Sequence, residues 1–179
     1  AYSAITHIGF LLIAVLPNTI LSLHAAFVYL VLYIIMSFNT FTFVLATFKH
    51  GNFITQLSGL SRYNPVLAFT FAFTLLSVAG VPPLAGFCAK LFVFFSAIES
   101  SLYFIAIIAI LTSVISAFYY IRIIKIMFFE KSKKWFFYKP VSRETSLVLG
   151  TTLMFTVFFF ANPTLLFIIT HKMALALYI

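Results

Sequence analysis

One lysine carries the strongest chemical signal in this sequence. Lys90 sits among apolar residues for more than two turns on either side, inside PVLAFTFAFTLLSVAGVPPLAGFCAKLFVFFS, residues 65–96. That run reads as a membrane-crossing helix. An ammonium at such a depth costs about 2.5–3.5 kcal/mol on insertion scales, so it counts by default as a functional group. One turn before it the chain reads VPPLAG, from Val81 to Gly86. Pro82 and Pro83 remove two backbone donors and free carbonyls that lipid cannot satisfy, so the helix is expected to break across Pro82, Pro83 and Gly86. Interrupted backbone beside an ionisable group at membrane depth is the pattern of an ion pathway.

Other polar groups fall into two sets. His7 lies in AYSAITHIGF, near Ser3 and Thr6, where these three are expected to satisfy one another or hold water. A histidine inside a membrane is either hydrogen-bonded to a neighbouring helix or a relay for protons, and its residue type fits both. Tyr33, Ser37 and Thr40 recur at i, i+4 and i+7, which is one helix face. Ser113 and Ser116 stand near the second half of a later helix. Water along Tyr33, Ser37, Ser113 and Ser116 would connect Lys90 to bulk. For any one of these hydroxyls, however, interhelical hydrogen bonding, worth about 0.6 kcal/mol per contact, is the commoner use. Arg122 and Lys125 are within snorkelling reach of an interface, and Glu99 belongs at the water boundary.

The elements that must position these groups are all helical. The chain has 179 residues, of which 64% are hydrophobic and only 8% charged, with 25 phenylalanines and a mean hydropathy of +1.17. Soluble domains carry about 25% charged residues. The expectation is an all-α polytopic membrane protein, a single membrane domain over residues 1–179 with about five transmembrane helices. They are read at 4–16, 23–48, 65–99 with the mid-membrane break, 103–129 and 145–171. Asn64-Pro65 reads as a cap with proline in the first turn. Asn162-Pro163 is expected to kink or split the last span, and residues 51–65 read as a polar, solvated loop. With one cysteine, Cys88, no intrachain disulfide is possible, and no Cys/His cluster or glycine-rich phosphate loop stands out. The net charge of +8 is confined to loops and helix ends, so it speaks for topology and lipid headgroups rather than nucleic acid. No signal or transit peptide is read at the start.

Charge also orients the bundle. Lys49, His50, Arg62, Arg122 and Lys125 share a side with the loop EKSKKWFFYKPVSRET, which holds Lys131, Lys133, Lys134, Lys139 and Arg143 beside Trp135 and Tyr138. The opposite loops, 17–22 and 98–102, have no Lys or Arg. The basic side is therefore expected inside, with the N-terminus inside and the C-terminus outside.

The segments AYSAITHIGF, GLSRYNP, LLSVAGVPPLAGFCAKLFVFF, SVISAFYYIRIIKIMFF and THKMALALYI together resemble the NADH dehydrogenase subunit 2 family of respiratory complex I, whose members are antiporter-like and proton-translocating. WFFYKPVSRE looks like the mitochondrial version. The resemblance covers essentially the whole chain and implies the C-terminal portion of an antiporter-like fold. Family members have about fourteen helices in two inverted five-helix repeats, each with one broken helix. This chain would be helices ten to fourteen. Lys90 would match the proposed proton-transfer lysine after the Pro-Pro break, and His7 the histidine or polar group at the start of helix ten.

The resemblance implies a mitochondrial inner-membrane location, with the N-terminus at the matrix and the C-terminus at the intermembrane space. It implies the other membrane-arm subunits of complex I and membrane lipids as partners, and no nucleic acid. No cofactor is expected on this chain. NADH, FMN, iron–sulfur clusters and ubiquinone would be held by other subunits. The first repeat and the first helix of the second are absent, and a split subunit with a separate chain carrying them is the favoured expectation over a fragment. Two other functions stay open at this point. One is a structural subunit in which Lys90 is a buried ion-pair member, and the other is a cation/proton antiporter component.

Overall fold

The computed structural model describes residues 2–47, 54–130, 141–159 and 161–178. Among these residues there are no strands. The helices are α1 (Tyr2–Val15), α2 (Ile20–Thr47), α3 (Leu60–Tyr63), α4 (Pro65–Ala79), α5 (Ala85–Glu99), α6 (Tyr103–Phe129), α7 (Arg143–Phe158) and α8 (Thr164–Tyr178), with a single 3-10 turn at Ile54–Leu57. The basic residues Lys49, His50, Lys131, Lys133, Lys134 and Lys139, and the anchors Trp135 and Tyr138, lie outside the described residues.

Helix ends follow local chemistry. α2 begins earlier than residue 23 because Thr19 and Ser22 cap it reciprocally: the Thr19 N–H donates to Ser22 Oγ at 2.8 Å and the Ser22 N–H to Thr19 Oγ1 at 3.1 Å. Asn64 caps α4, its side chain accepting from the Leu67 N–H at 3.1 Å, with Pro65 in the first turn as the sequence predicts. Residues 54–63 differ from the expected solvated loop. They are largely helical, and Leu57 and Leu60 turn inward and are buried, because two leucines have more to gain against α6 than in water.

The third and fifth expected spans are each two helices. Pro163 cannot donate within a helix. Asn162 holds the Thr164 hydroxyl at 2.6 Å instead, and α8 runs on to Tyr178, beyond the expected end at 171. The halves α4 and α5 have 15 residues each, about 22 Å at 1.5 Å per residue, so neither reaches across about 30 Å of hydrocarbon by itself.

α2 is the centre of the bundle, with α1, α4, α5, α7 and α8 all packed on it. Along α5, Ala85, Ala89, Val93 and Ala97 are fully buried. Their spacing of four residues places small side chains on one stripe, which lets backbones approach closely. Phe43 of α2 stacks on Phe71 of α4 with centroids 3.6 Å apart. α6 is the opposite case. Its most apolar 18 residues have a mean hydropathy of 2.3, yet only 22% of them are buried. Ile107, Leu111, Val114, Ile115 and Phe118 face outward, an arrangement that suits lipid or further apolar helices and not water.

Two glycines in helices test this packing. A Cβ on Gly86 would lie 1.8 Å from the Ser77 carbonyl oxygen, a backbone atom, whereas one on Gly150 meets nothing within 4 Å. Gly86→Ala is expected to destabilise by about 3 kcal/mol or more, at or beyond the overpacking range. Gly150→Ala is expected to stabilise by about 0.5–1 kcal/mol through helix propensity. Thermal midpoints of the detergent-solubilised protein would show the opposite signs.

Candidate functional site

α4 stops before the prolines. Gly80 adopts φ +90, and its N–H reaches the Ser77 carbonyl at 3.0 Å while the Val81 N–H reaches that of Leu76 at 3.1 Å. That pair of bonds is a Schellman closure, and it needs a glycine at the left-handed position. The chain then passes Pro82 and Pro83, which are both exposed, before α5 begins at Ala85.

A continuous helix would satisfy the Ala79 carbonyl from the N–H of residue 83. Residue 83 is a proline and has no donor. Lys90 supplies the missing one: its Nζ donates to the Ala79 oxygen at 2.7 Å, and the residue is only 5% exposed. Its ammonium thus sits at the carboxyl end of α4, where the helix dipole favours positive charge. The acceptor is a neutral carbonyl rather than a carboxylate. Nζ also lies 5.4 Å from the centroid of Phe10, within cation–π range. The lysine stem passes so near Gly80 that a Cβ there would fall 2.9 Å from its Cδ.

The other side of the break is closed in return. Ser77 of α4 accepts from the Gly86 N–H, an unpaired donor in the first turn of α5, at 3.2 Å, and its own hydroxyl points to Met36 Sδ at 3.1 Å.

His7 is buried beside Phe10. Its Nδ1 pairs with the Tyr29 hydroxyl at 2.7 Å. Its ring stacks on Tyr33 at 4.7 Å and stands 6.5 Å from Phe10. Of the two expectations for Ser3, Thr6 and His7, satisfying one another or holding water, the first is corrected here. Thr6 bonds back to the Tyr2 carbonyl, Ser3 pairs with the Tyr120 hydroxyl of α6, and His7 turns to α2. The three positions share one face of α1, but that face packs on both α2 and α6, so Ser3 and His7 find partners on different helices while Thr6 bonds within its own.

Of the expected water path, Tyr33 joins this cluster through the His7 stack. Ser37, Ser113 and Ser116 each donate to a carbonyl of their own helix, those of Ile34, Ile110 and Thr112, at 2.9, 2.7 and 2.9 Å. Their lone pairs stay available as acceptors, but no contact draws them to Lys90 among the described residues. Tyr29, Ser77 and Gly80 are the site residues that the sequence reading did not single out. Tyr29 is one turn before Tyr33, so extending the polar face backwards by four would have found it. Ser77 and Gly80 carried no signal of their own. Among the described residues no group of three or more His, Cys, Asp and Glu side chains gathers as a metal site would.

The family model for the transmembrane region of NADH:quinone oxidoreductase and Mrp antiporters matches residues 1–116. NADH-ubiquinone oxidoreductase chain 2 of Marchantia polymorpha is 46% identical over 178 residues, which is 99% of this chain and 36% of that protein. NADH-quinone oxidoreductase subunit N of Parvibaculum lavamentivorans is 41% identical over 180 residues, 99% of this chain and 37% of that one. The chain thus spans about a third of the length of the curated relatives it matches. A chain of respiratory complex I from Thermus thermophilus superposes with a TM-score of 0.82 at 25% identity, over 93% of this chain and 38% of its own length. A chain of the Mrp complex from Dietzia has the same fold, with a TM-score of 0.85 at 19% identity over 99% of this chain and 42% of its own.

Two substitutions probe the cluster. Ser77→Ala removes the acceptor for the Gly86 N–H and is expected to cost about 1 kcal/mol, the usual worth of a helix N-cap. Tyr29→Phe leaves His7 Nδ1 buried and unpaired, with an expected loss of about 1–3 kcal/mol. Thermal unfolding in detergent checks both.

Proposed function

Because this chain belongs to the NADH:quinone oxidoreductase/Mrp antiporter transmembrane family, we propose that it serves in the membrane arm of a proton-translocating NADH:ubiquinone oxidoreductase, with Lys90 as a proton-transfer residue. The observation that carries this reading is the Lys90 Nζ bond to the Ala79 carbonyl across a broken helix. A buried lysine held by a carboxylate would be locked in its charged form. Held by a carbonyl, it keeps its anchor either way, since a neutral amine still has N–H groups to donate. Desolvation opposes the ammonium while the carbonyl and the α4 dipole support it, so a charge arriving nearby can tip the balance. The proton leaves from Nζ. His7, joined to Tyr29 and stacked on Tyr33, is the nearby group able to take part in its onward route, and water held by Ser37, Ser113 and Ser116 would complete it.

In this reading electron transfer happens elsewhere, on subunits that hold NADH, FMN, iron–sulfur clusters and ubiquinone, and this chain carries no cofactor. Its partners are the other membrane-arm subunits and lipids, and the helices that the relatives have beyond this stretch pack beside it, on a separate chain in the favoured case. The similarity to chain 2 proteins of plants supports a mitochondrial inner membrane, and the basic residues gathered in the loops of one side favour α1 entering from the matrix and α8 ending at the intermembrane space.

A second reading has an observation in its favour: the same bond joins α4 to α5, so Lys90 also holds the fold. Lys90→Met and Lys90→Arg in the assembled complex separate the two. For a proton-transfer lysine, both variants assemble, Met abolishes NADH-driven proton pumping, and Arg, which does not deprotonate, also loses it. Pumping at the wild-type level in Lys90→Met would overturn the proposal. Loss of assembly in Met with full pumping in Arg would make the role structural. Sodium-independent pumping in vesicles would distinguish this chain from a cation/proton antiporter component.

A further inference from the structure

The end of the bundle where α2 begins holds two imidazoles that the route through Lys90 does not use. His24 is in the second turn of α2, and His171 is on α8. Their ring centroids are 5.5 Å apart and the rings stand at 84°. Phe92 of α5 and Phe167 of α8 enclose His24 edge-on, at 6.1 and 5.8 Å. Its Nε2 is buried with no hydrogen-bond partner.

A buried imidazole nitrogen left without a partner is an unexplained cost, and a metal ion held between the two rings would supply the missing bond. The spacing fits as well. Zinc binds imidazole nitrogen at about 2.0–2.1 Å, which puts each ring centre about 3.2 Å from the ion and two rings at a tetrahedral angle about 5 Å apart. The 5.5 Å separation is within a small side-chain adjustment of that. His171 is exposed, so the pair opens to the surface of the bundle.

We propose that His24 and His171 form a two-imidazole site for a borderline divalent transition-metal ion such as Zn2+, bridging α2 and α8, with water in the remaining positions. The site is independent of Lys90 and needs no proton pumping to be detected.

The experiment is equilibrium binding of radioactive Zn2+ to the purified complex that contains this chain, comparing wild type with His24→Leu, His171→Asn and His171→Cys. The wild type is expected to bind one Zn2+ more per chain than His24→Leu or His171→Asn at the same free concentration, each variant having lost at least tenfold in affinity at that site. His171→Cys, which restores a ligand, is expected to recover it. Because His171 is exposed, its replacement leaves the packing of the bundle intact. Equal zinc content and affinity in all four proteins would overturn the proposal, as would a loss in His24→Leu that His171→Asn does not share.

Discussion

The structure depends on an exchange of hydrogen bonds across one gap. Where Pro82 and Pro83 stop the backbone ladder, α4 is left with an open carbonyl and α5 with an open N–H. Hydrocarbon has nothing to offer either, and each would cost about 1–3 kcal/mol if buried alone. The two halves answer one another. Lys90 of α5 reaches back to Ala79 of α4, and Ser77 of α4 reaches forward to Gly86 of α5. The charged group and the broken backbone are therefore one feature: the lysine has its position because the prolines removed a donor, and the break is tolerable because the lysine replaces it.

Much of this was legible in the sequence wherever chemistry is local. Asn64-Pro65 named its own cap, the span 103–129 was read to the residue, and the Pro-Pro pair marked the interruption. Lys90 stood out by its cost alone. What was not legible came from contacts between elements. Nothing in the order of residues says that His7 of α1 meets Tyr29 and not Ser3, since that depends on how a short helix is rotated against α2. Ser77 looks like any helical serine until α5 is laid beside it. The hydroxyls of Ser37, Ser113 and Ser116 lie on plausible faces, yet serine in a helix readily donates to its own backbone, and each does. The polar character of residues 51–65 concealed two leucines that pack.

The exterior of the bundle is as apolar as its interior, unlike that of a water-soluble bundle. Small and polar residues of α2, including Ser22, Ala25, Ala26 and Asn39, are buried, while isoleucine, phenylalanine and leucine face outward on α6, α7 and α8. With an apolar exterior, burial of aliphatic area adds little drive to helix association, and close backbone approach and hydrogen bonding take its place. This is why a bundle so rich in phenylalanine still organises itself around alanine stripes and a few polar pairs.

The closeness of Gly80 to the lysine stem has a consequence for how such a chain can change over generations. The left-handed turn asks for glycine at 80, and the packing of the Lys90 methylenes asks for it again. Glycine at 86 is held differently, by the backbone carbonyl of residue 77, which no substitution there removes. Positions 80 and 90 thus form an interlocked pair, and a lineage that drifts at one has to move the other with it. Substitutions here should arrive in twos, while the lipid-facing side of α6 is free to wander among aliphatic residues one at a time.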